Sequence, residues 1–149
     1  QEWSEERELD WYLLGEQSHQ QLQRYVKELL ALYKKYPALY ANDRNSQGLE
    51  WINADDASRS IYSFMRMSPT GRNNLLFVIN YTPVARDDYR VGVPKRKQYK
   101  LILNSREPEF GGQEHKEQII YKAVKKECDG RPYSFAYPLP AYGVAVFLF

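Results

Sequence analysis

The sequence predicts a mostly β fold, an antiparallel β-sandwich preceded by one α-helix. One segment, residues 19–36, repeats its apolar side chains at helical spacing. After Pro37 the period changes, and short runs rich in branched and aromatic residues alternate with turn signals. The composition agrees, because 15% of the residues are aromatic and 13 are tyrosine, which favours strands. A chain of 149 residues is one ordinary domain that can bury a core.

The predicted helix has clear boundaries in the sequence. Ser18 and Gln21 match a capping box, in which the hydroxyl and the amide each satisfy a free N–H of the first turn. Pro37 ends the run. The apolar face of this helix is long and has no second helix to pack on. We therefore expect it to dock on the sandwich or on another copy of the chain.

Eight short strands are expected after the loop at 41–48. Their spacing of roughly 8–14 residues is typical of an antiparallel sandwich and not of a βαβ sheet. The predicted strands are "LEWINA" (49–54), "SIYSFMRM" (60–67), "NLLFVINYT" (74–82), "YRVGVP" (89–94), "QYKLILNS" (98–105), "QIIYKAV" (118–124), "YSFAY" (133–137) and "GVAVFLF" (143–149).

Charge and cysteine content narrow the class of protein. The 21 basic and 19 acidic residues nearly balance, so no nucleic-acid partner is predicted, and the basic run at 94–100 is typical of a solvated hairpin loop. No apolar stretch is long enough to cross a bilayer, so no membrane association is predicted. The single cysteine, Cys128, rules out an internal disulfide framework and indicates a reducing, cytoplasmic location.

A search for catalytic or metal-binding patterns finds none. His19 and His115 are far apart and neither has the spacing of a metal ligand. Cys128 lies in a turn-like stretch without a base to activate it. The acidic pairs at 55–56 and 87–88 fall in turns, where aspartate accepts backbone N–H bonds. The sequence therefore predicts no catalytic residue, no metal and no cofactor in this chain.

Longer strings carry a resemblance to a known family. They are "EW" (2–3), "ELDWYLL" (8–14), "LYKKYPALY" (32–40), "GLEWINADDASRSIYSFMR" (48–66), "VINYTPVARDDYRVGVP" (78–94), "LNSREPEFGG" (104–112) and "GRPYSFAYPLP" (130–140). In this order they resemble the C-terminal end of bacterial glycogen branching enzymes, which are 1,4-α-glucan transglycosylases of the α-amylase family. The chain also begins without methionine, so we expect a piece of a longer protein.

The resemblance implies an architecture and an activity. Residues 1–40 would be the end of a catalytic (β/α)8 barrel with its last helix, and 41–149 the C-terminal all-β sandwich. The family cleaves an α-1,4 link and rejoins the free end as an α-1,6 branch. The reaction is a retaining double displacement, in which one carboxylate forms a glycosyl-enzyme and a second carboxyl group protonates the leaving oxygen. No residue of this chain matches those carboxylate motifs. The implied partners are α-glucan (glycogen or amylose) and the upstream barrel.

Three tryptophans are the candidate glucan-binding residues, because sugar rings stack their C–H faces on flat side chains. Trp51 is the first, beside Glu50 and Asn53, although strand alternation could equally turn it inward with Leu49. Trp3 and Trp11 would lie at the rim of the glucan cleft, or pack on the barrel instead.

Two other identities remain open from the sequence. A free-standing carbohydrate-binding β-sandwich module would have the same strands, but the unpartnered helix argues against it. The terminal domain of another α-amylase-family enzyme, an amylase or a debranching relative, would also fit. The string "YRVGVP" at 89–94 favours a branching enzyme over these relatives.

Overall fold

The computed structural model describes residues 5–6, 8–113 and 118–149. Within these residues one α-helix, α1 (Gln17–Lys35), precedes eight strands, so the predicted mostly β fold is confirmed. Every predicted strand forms, with ends that differ by a few residues from the expected ones. The strands are β1 (Leu49–Asn53), β2 (Ile61–Arg66), β3 (Leu75–Asn80), β4 (Arg86–Val93), β5 (Gln98–Asn104), β6 (Ile120–Lys122), β7 (Tyr133–Leu139) and β8 (Val144–Leu148).

The strands form two sheets. The larger has six strands in the order β1-β2-β3-β8-β5-β6, and the smaller pairs β4 with β7. All the strand pairs are antiparallel. The main core lies between the two sheets, where alternate residues of the strands point inward. Among its fully buried members are Ile61, Met65, Leu76, Val78, Val91, Val93, Tyr99 and Phe147.

The start of α1 differs from the sequence prediction. The helix begins at Gln17, one residue before the predicted cap Ser18, and no side chain caps it. A short 3-10 helix, Trp11–Gly15, runs almost directly into α1, so the first turn forms upstream of Ser18. Gln21 donates to the carbonyl of Pro108 at 3.2 Å and does not bond back to the helix start. The predicted capping box is therefore wrong.

The end of α1 agrees with the prediction. Tyr36, the residue before Pro37, is extended at φ −113° and ψ 103°, which is the conformation that a following proline favours. Lys35 is the last helical residue.

The helix docks on the outer face of the six-stranded sheet. Leu32, Tyr36 and Ala38 form a second buried cluster with Leu75, Leu103 and Val146 of β3, β5 and β8. The ring of Tyr25 also meets that of Phe110 edge to face, with centroids 5.2 Å apart. The rest of the apolar face of the helix is exposed, at Leu22, Val26, Leu29, Leu30 and Tyr33.

Candidate functional site

Trp51 lies on β1 with its indole on the outer face of the six-stranded sheet. Alternation along β1 buries Ile52 in the core and leaves Leu49 and Trp51 exposed. Trp51 is 49% exposed. The structure thus decides between the two orientations that the sequence left open, in favour of the outward one.

The indole belongs to an aromatic surface, which we define as Trp51, Tyr62, Phe64 and Tyr81. Tyr62 and Phe64 alternate outward on β2, and Tyr81 directly follows β3. The register pairs Trp51 with Phe64, and their rings meet edge to face with centroids 5.4 Å apart. Tyr62 and Tyr81 make a similar contact at 5.6 Å. Four aromatic side chains from three neighbouring segments are thereby brought together.

The aromatic surface borders a shallow depression of about 510 Å3. Ser60 and Ile79 line it together with the aromatic residues. Its volume falls within the roughly 300–1,000 Å3 that is typical of small-ligand sites. The depression combines flat apolar rings with the hydroxyl groups of a serine and two tyrosines, so it can both stack on a sugar ring and bond its hydroxyls.

The polar neighbours of Trp51 fix the strand that carries it. Arg131 donates to the backbone oxygen of Trp51 at 3.1 Å and forms an ion pair with Glu50 at 2.6 Å. Asn53 donates to Asp129 at 3.0 Å. Glu50 and Asn53, the polar residues beside Trp51 in the sequence, are therefore already engaged with the loop at 128–131, and they position β1.

Trp11 does not join this surface in the structure. Trp11 begins the 3-10 helix Trp11–Gly15 and is 61% exposed, but it is not among the residues that line the depression. Trp3 lies outside the described residues. Leu9 and Tyr12, beside Trp11, are exposed as well.

Sequence reasoning missed Tyr62, Phe64 and Tyr81 as members of the site. The signal was present for two of them, because Tyr62 and Phe64 alternate with the inward residues of "SIYSFMRM" and so share one face. Their meeting with Trp51 depends on the β1–β2 register, which the sequence did not supply.

Two of the residues considered for catalysis, Cys128 and Asp56, have structural partners. The thiol of Cys128 donates to the backbone oxygen of Arg90 at 3.4 Å, and burial raises its pKa to about 11, so it is protonated at neutral pH. Asp56 is ion-paired with Arg59 at 2.6 Å. In the described ranges no three histidine, cysteine or acidic side chains are grouped as a metal site would require. Within the same ranges, no helix has the length and apolarity needed to span a membrane.

Comparison with known proteins gives one family and a consistent set of relatives. Residues 51–149 match the family described as "Alpha amylase, C-terminal all-beta domain". The "1,4-alpha-glucan branching enzyme GlgB" of Butyrivibrio fibrisolvens is 48% identical over 99% of this chain and 23% of its own length. The protein of the same name from Bacillus caldolyticus is 37% identical over 97% of this chain and 22% of its own length. That from Marinobacter nauticus is 39% identical over 98% of this chain and 23% of its own length. The chain thus spans less than a quarter of each of these three relatives.

Proposed function

The chain belongs to the family of α-amylase C-terminal all-β domains, and from this premise we propose that it is the C-terminal portion of a 1,4-α-glucan branching enzyme. The whole enzyme would cleave α-1,4 links and form α-1,6 branches in glycogen synthesis. This portion would carry none of the catalytic carboxylates. Its own roles would be to bind α-glucan and to support the catalytic barrel.

The single observation that carries the glucan-binding role is the exposed aromatic surface around Trp51. Stacking on one side of the indole would bury about half of the roughly 200 Å2 that it offers. At about 25 cal/mol per Å2, this contributes some 2–3 kcal/mol before ordering costs. Millimolar affinity requires about 4 kcal/mol, so hydrogen bonds from the tyrosine hydroxyls or Ser60 must add the remainder.

Weak binding of this kind suits a polymer. A glucan presents many identical units, so a second contact is made at a high effective concentration once the first has formed. The aromatic surface would hold the glucan chain near the enzyme, while the chemistry takes place elsewhere in the full-length protein.

Support of the barrel would come from the helix. We propose that residues 1–40 complete the barrel and that 41–149 form the separate sandwich. The exposed face of α1, defined by Leu22, Val26, Leu29, Leu30 and Tyr33, would then pack against the barrel. Burying one leucine contributes roughly 2 kcal/mol, so this face is a substantial source of stability for a covering domain. Trp11 would lie at the border between barrel and glucan.

We also propose a cytoplasmic location. The single thiol of Cys128 is free, as expected in a reducing compartment. Glycogen synthesis in the proposed enzyme would take place in the same compartment.

Electrophoresis in native gels that contain glycogen tests the binding role. The 149-residue chain should be retarded, and the Trp51→Ala variant should lose the retardation while it stays folded, with a loss of about 1 kcal/mol in the free energy of unfolding from the missing contact with Phe64. Tyr12→Ala is the matched control, since Tyr12 is 75% exposed but lies outside the aromatic surface. Retardation that survives Trp51→Ala, or a Trp51→Ala chain that unfolds readily, would contradict the proposal.

Two further measurements test the rest of the assignment. Incubation of the chain with amylose should leave the iodine-complex spectrum unchanged, because the carboxylates are absent; a progressive loss of colour through new α-1,6 links would refute the inactive role. The chain covers 22–23% of its relatives' length, so an immunoblot of source cells should show a band about four times the 17.6 kDa of this chain. A band at 17.6 kDa would instead support a free-standing carbohydrate-binding module.

A further inference from the structure

Two basic segments that are distant in the sequence lie side by side at one edge of the six-stranded sheet. The first, residues 94–100, is the turn between β4 and β5 with the start of β5, and the second, residues 122–126, begins at the end of β6. The register pairs Gln98 with Lys122, and the backbone N–H of Ala123 donates to the backbone oxygen of Lys97 at 3.0 Å. We call the basic residues of the two segments the basic patch. Its members are Lys95, Arg96, Lys97, Lys100, Lys122, Lys125 and Lys126.

The basic patch concentrates the positive charge of the chain. Its two segments contain seven of the 21 basic residues and no acidic residue, whereas the rest of the chain has 14 basic and 19 acidic residues. All seven are exposed. The ion pairs found between described residues involve other arginines, so in this part of the chain the patch has no internal counterion. Glu127, directly after the second segment, is the carboxylate nearest to the patch along the chain.

The backbone that carries the basic patch is fixed in both segments. The hydroxyl of Tyr99, which is fully buried, donates to the backbone oxygen of Lys95 at 3.0 Å and so holds the turn. The hydroxyl of Ser134 on β7 donates to the backbone oxygen of Lys126 at 2.6 Å, and Ser134 also exchanges two backbone hydrogen bonds with Val124. The positions from which the charged side chains extend are therefore set in advance, which lowers the ordering cost of binding a ligand.

A cleft of about 460 Å3 lies between the two segments. Its volume falls within the roughly 300–1,000 Å3 that is typical of small-ligand sites. It shares no lining residue with the depression at the aromatic surface. Three cationic side chains and one amide border it, since its lining consists of Arg96, Lys97, Gln98, Lys122, Ala123 and Val124.

The charge of the basic patch selects the class of ligand. A monocarboxylate would balance one cation and leave the others unpaired, and a neutral sugar would balance none. Phosphate groups joined in a row carry several charges over a short length, and their oxygens accept from ammonium and guanidinium groups. A long polyanion such as a nucleic acid would extend beyond the patch, onto a remainder of the chain in which acidic residues outnumber basic ones. A short chain of phosphate groups meets both limits.

We propose that the basic patch is a binding site for a small polyphosphate anion, either inorganic or the phosphate chain of a nucleotide. Arg96 and Lys97 hold the anion from the β4–β5 turn, and Lys122 holds it from the end of β6. The other four lysines of the patch attract the anion to the cleft by their charge. The site goes beyond the proposed function and does not depend on it, because it uses neither the aromatic surface nor a glucan.

A titration of the 149-residue chain with sodium tripolyphosphate, followed by amide NMR, tests the site. At an ionic strength of about 0.1 M, the signals of residues 95–98 and 122–126 should shift and saturate along one shared binding curve. ADP should shift the same signals if the ligand is a nucleotide, and only tripolyphosphate should do so if it is inorganic. Adenosine, which has no phosphate, should shift none of them. Sodium sulfate at matched ionic strength should cause smaller shifts that do not saturate.

Removing one charge from each segment tests whether the two segments act together. Arg96→Gln and Lys122→Gln should each raise the dissociation constant of tripolyphosphate about threefold, as the loss of one exposed ion pair does, and the double variant should raise it about tenfold. Arg44→Gln is the matched control. Arg44 is also exposed in a loop, but it precedes β1 at the opposite edge of the six-stranded sheet. Five strand spacings of about 4.8 Å separate the two edges, more than the screening length of about 10 Å, so the control should bind normally.

All these variants replace exposed residues, so without phosphate each should melt at the temperature of the unmodified chain. The inference is overturned if the two segments do not respond, or if they saturate at different anion concentrations. It is also overturned if Arg44→Gln weakens binding as much as Arg96→Gln does. Equal shifts with sulfate would overturn it as well, because the patch would then attract anions by charge alone.

Discussion

Trp51 and Phe64 face each other across the β1–β2 ladder, and their rings meet edge to face with planes at 67°. Phe64 in turn stacks almost flat on Phe77, with centroids 4.9 Å apart and planes at 6°. Phe77 packs against the cluster beneath α1. The exposed indole is therefore oriented by a row of rings that extends to the buried cluster.

Replacing Phe64 should weaken glucan binding without removing the indole. Phe64→Leu keeps an apolar residue on β2 but removes its ring contacts with both Trp51 and Phe77, each worth about 0.5–1.5 kcal/mol. We expect a loss of about 2 kcal/mol in the free energy of unfolding and reduced retardation in glycogen gels. Urea denaturation and native electrophoresis measure the two effects. Unchanged retardation would mean that the ring row does not orient Trp51.

Replacing Ser18 should have almost no effect, since it does not cap α1. A lost helix cap costs about 1 kcal/mol, whereas Ser18→Ala at a helical position should change the free energy of unfolding by less than about 0.5 kcal/mol. Asn45→Ala is the control, because the Asn45 side chain accepts from the backbone N–H of Gln47 at 2.9 Å. Urea denaturation should give the Asn45→Ala variant a lower free energy of unfolding than the Ser18→Ala variant. The opposite order would contradict the finding that Ser18 does not cap α1.

Two leucines of α1 should differ strongly in their effect on stability. Leu32 is 8% exposed in the cluster on the sheet, so Leu32→Ala should cost about 2–5 kcal/mol. Leu30 is 56% exposed, so Leu30→Ala should change the free energy of unfolding of this chain by no more than about 0.5 kcal/mol. Thermal melting of both variants checks this. Similar costs would indicate that the helix docks through a different face.

The thiol of Cys128 should react slowly in the folded chain. Burial and the neighbouring Asp129 raise its pKa from 9.0 to about 11, so at pH 8 the reactive thiolate is scarcer by a factor on the order of 100. Iodoacetamide should modify the folded chain that much more slowly than the urea-unfolded chain. Because the pKa is raised on folding, the associated stability is fully present below about pH 9 and is lost as the pH rises through about 11. Equal alkylation rates would show that the thiol is not shielded.

Much of the fold could be predicted because it depends on local patterns. Alternation and turn residues located all eight strands, and Pro37 located the end of α1. The resemblance to branching enzymes is likewise confirmed by the family match and the relatives. What local patterns could not supply was the pairing of β4 with β7 in a separate sheet, since the partner of a strand is set by contacts distant in sequence.

The candidate sites were less predictable for the same reason. "LEWIN" carries apolar side chains on both faces, so alternation alone could not orient Trp51. The aromatic surface needs the register of β1, β2 and β3, which is set by contacts distant in sequence. The predicted capping box was wrong because the 3-10 helix Trp11–Gly15 leads almost directly into α1 and moves the start of α1 upstream of Ser18. The capping pattern at Ser18 carried no information about this preceding helix.

The position of β8 has a consequence for the order of folding. β8 lies between β3 and β5, so it joins the halves β1-β2-β3 and β5-β6 of the six-stranded sheet, although it is the last of the eight strands to be synthesised. Until residues 144–148 leave the ribosome, both β3 and β5 are open edges with unpaired backbone groups. In this interval neighbouring nascent chains can pair through those edges, so a delay at β8 favours aggregation over completion of the sheet.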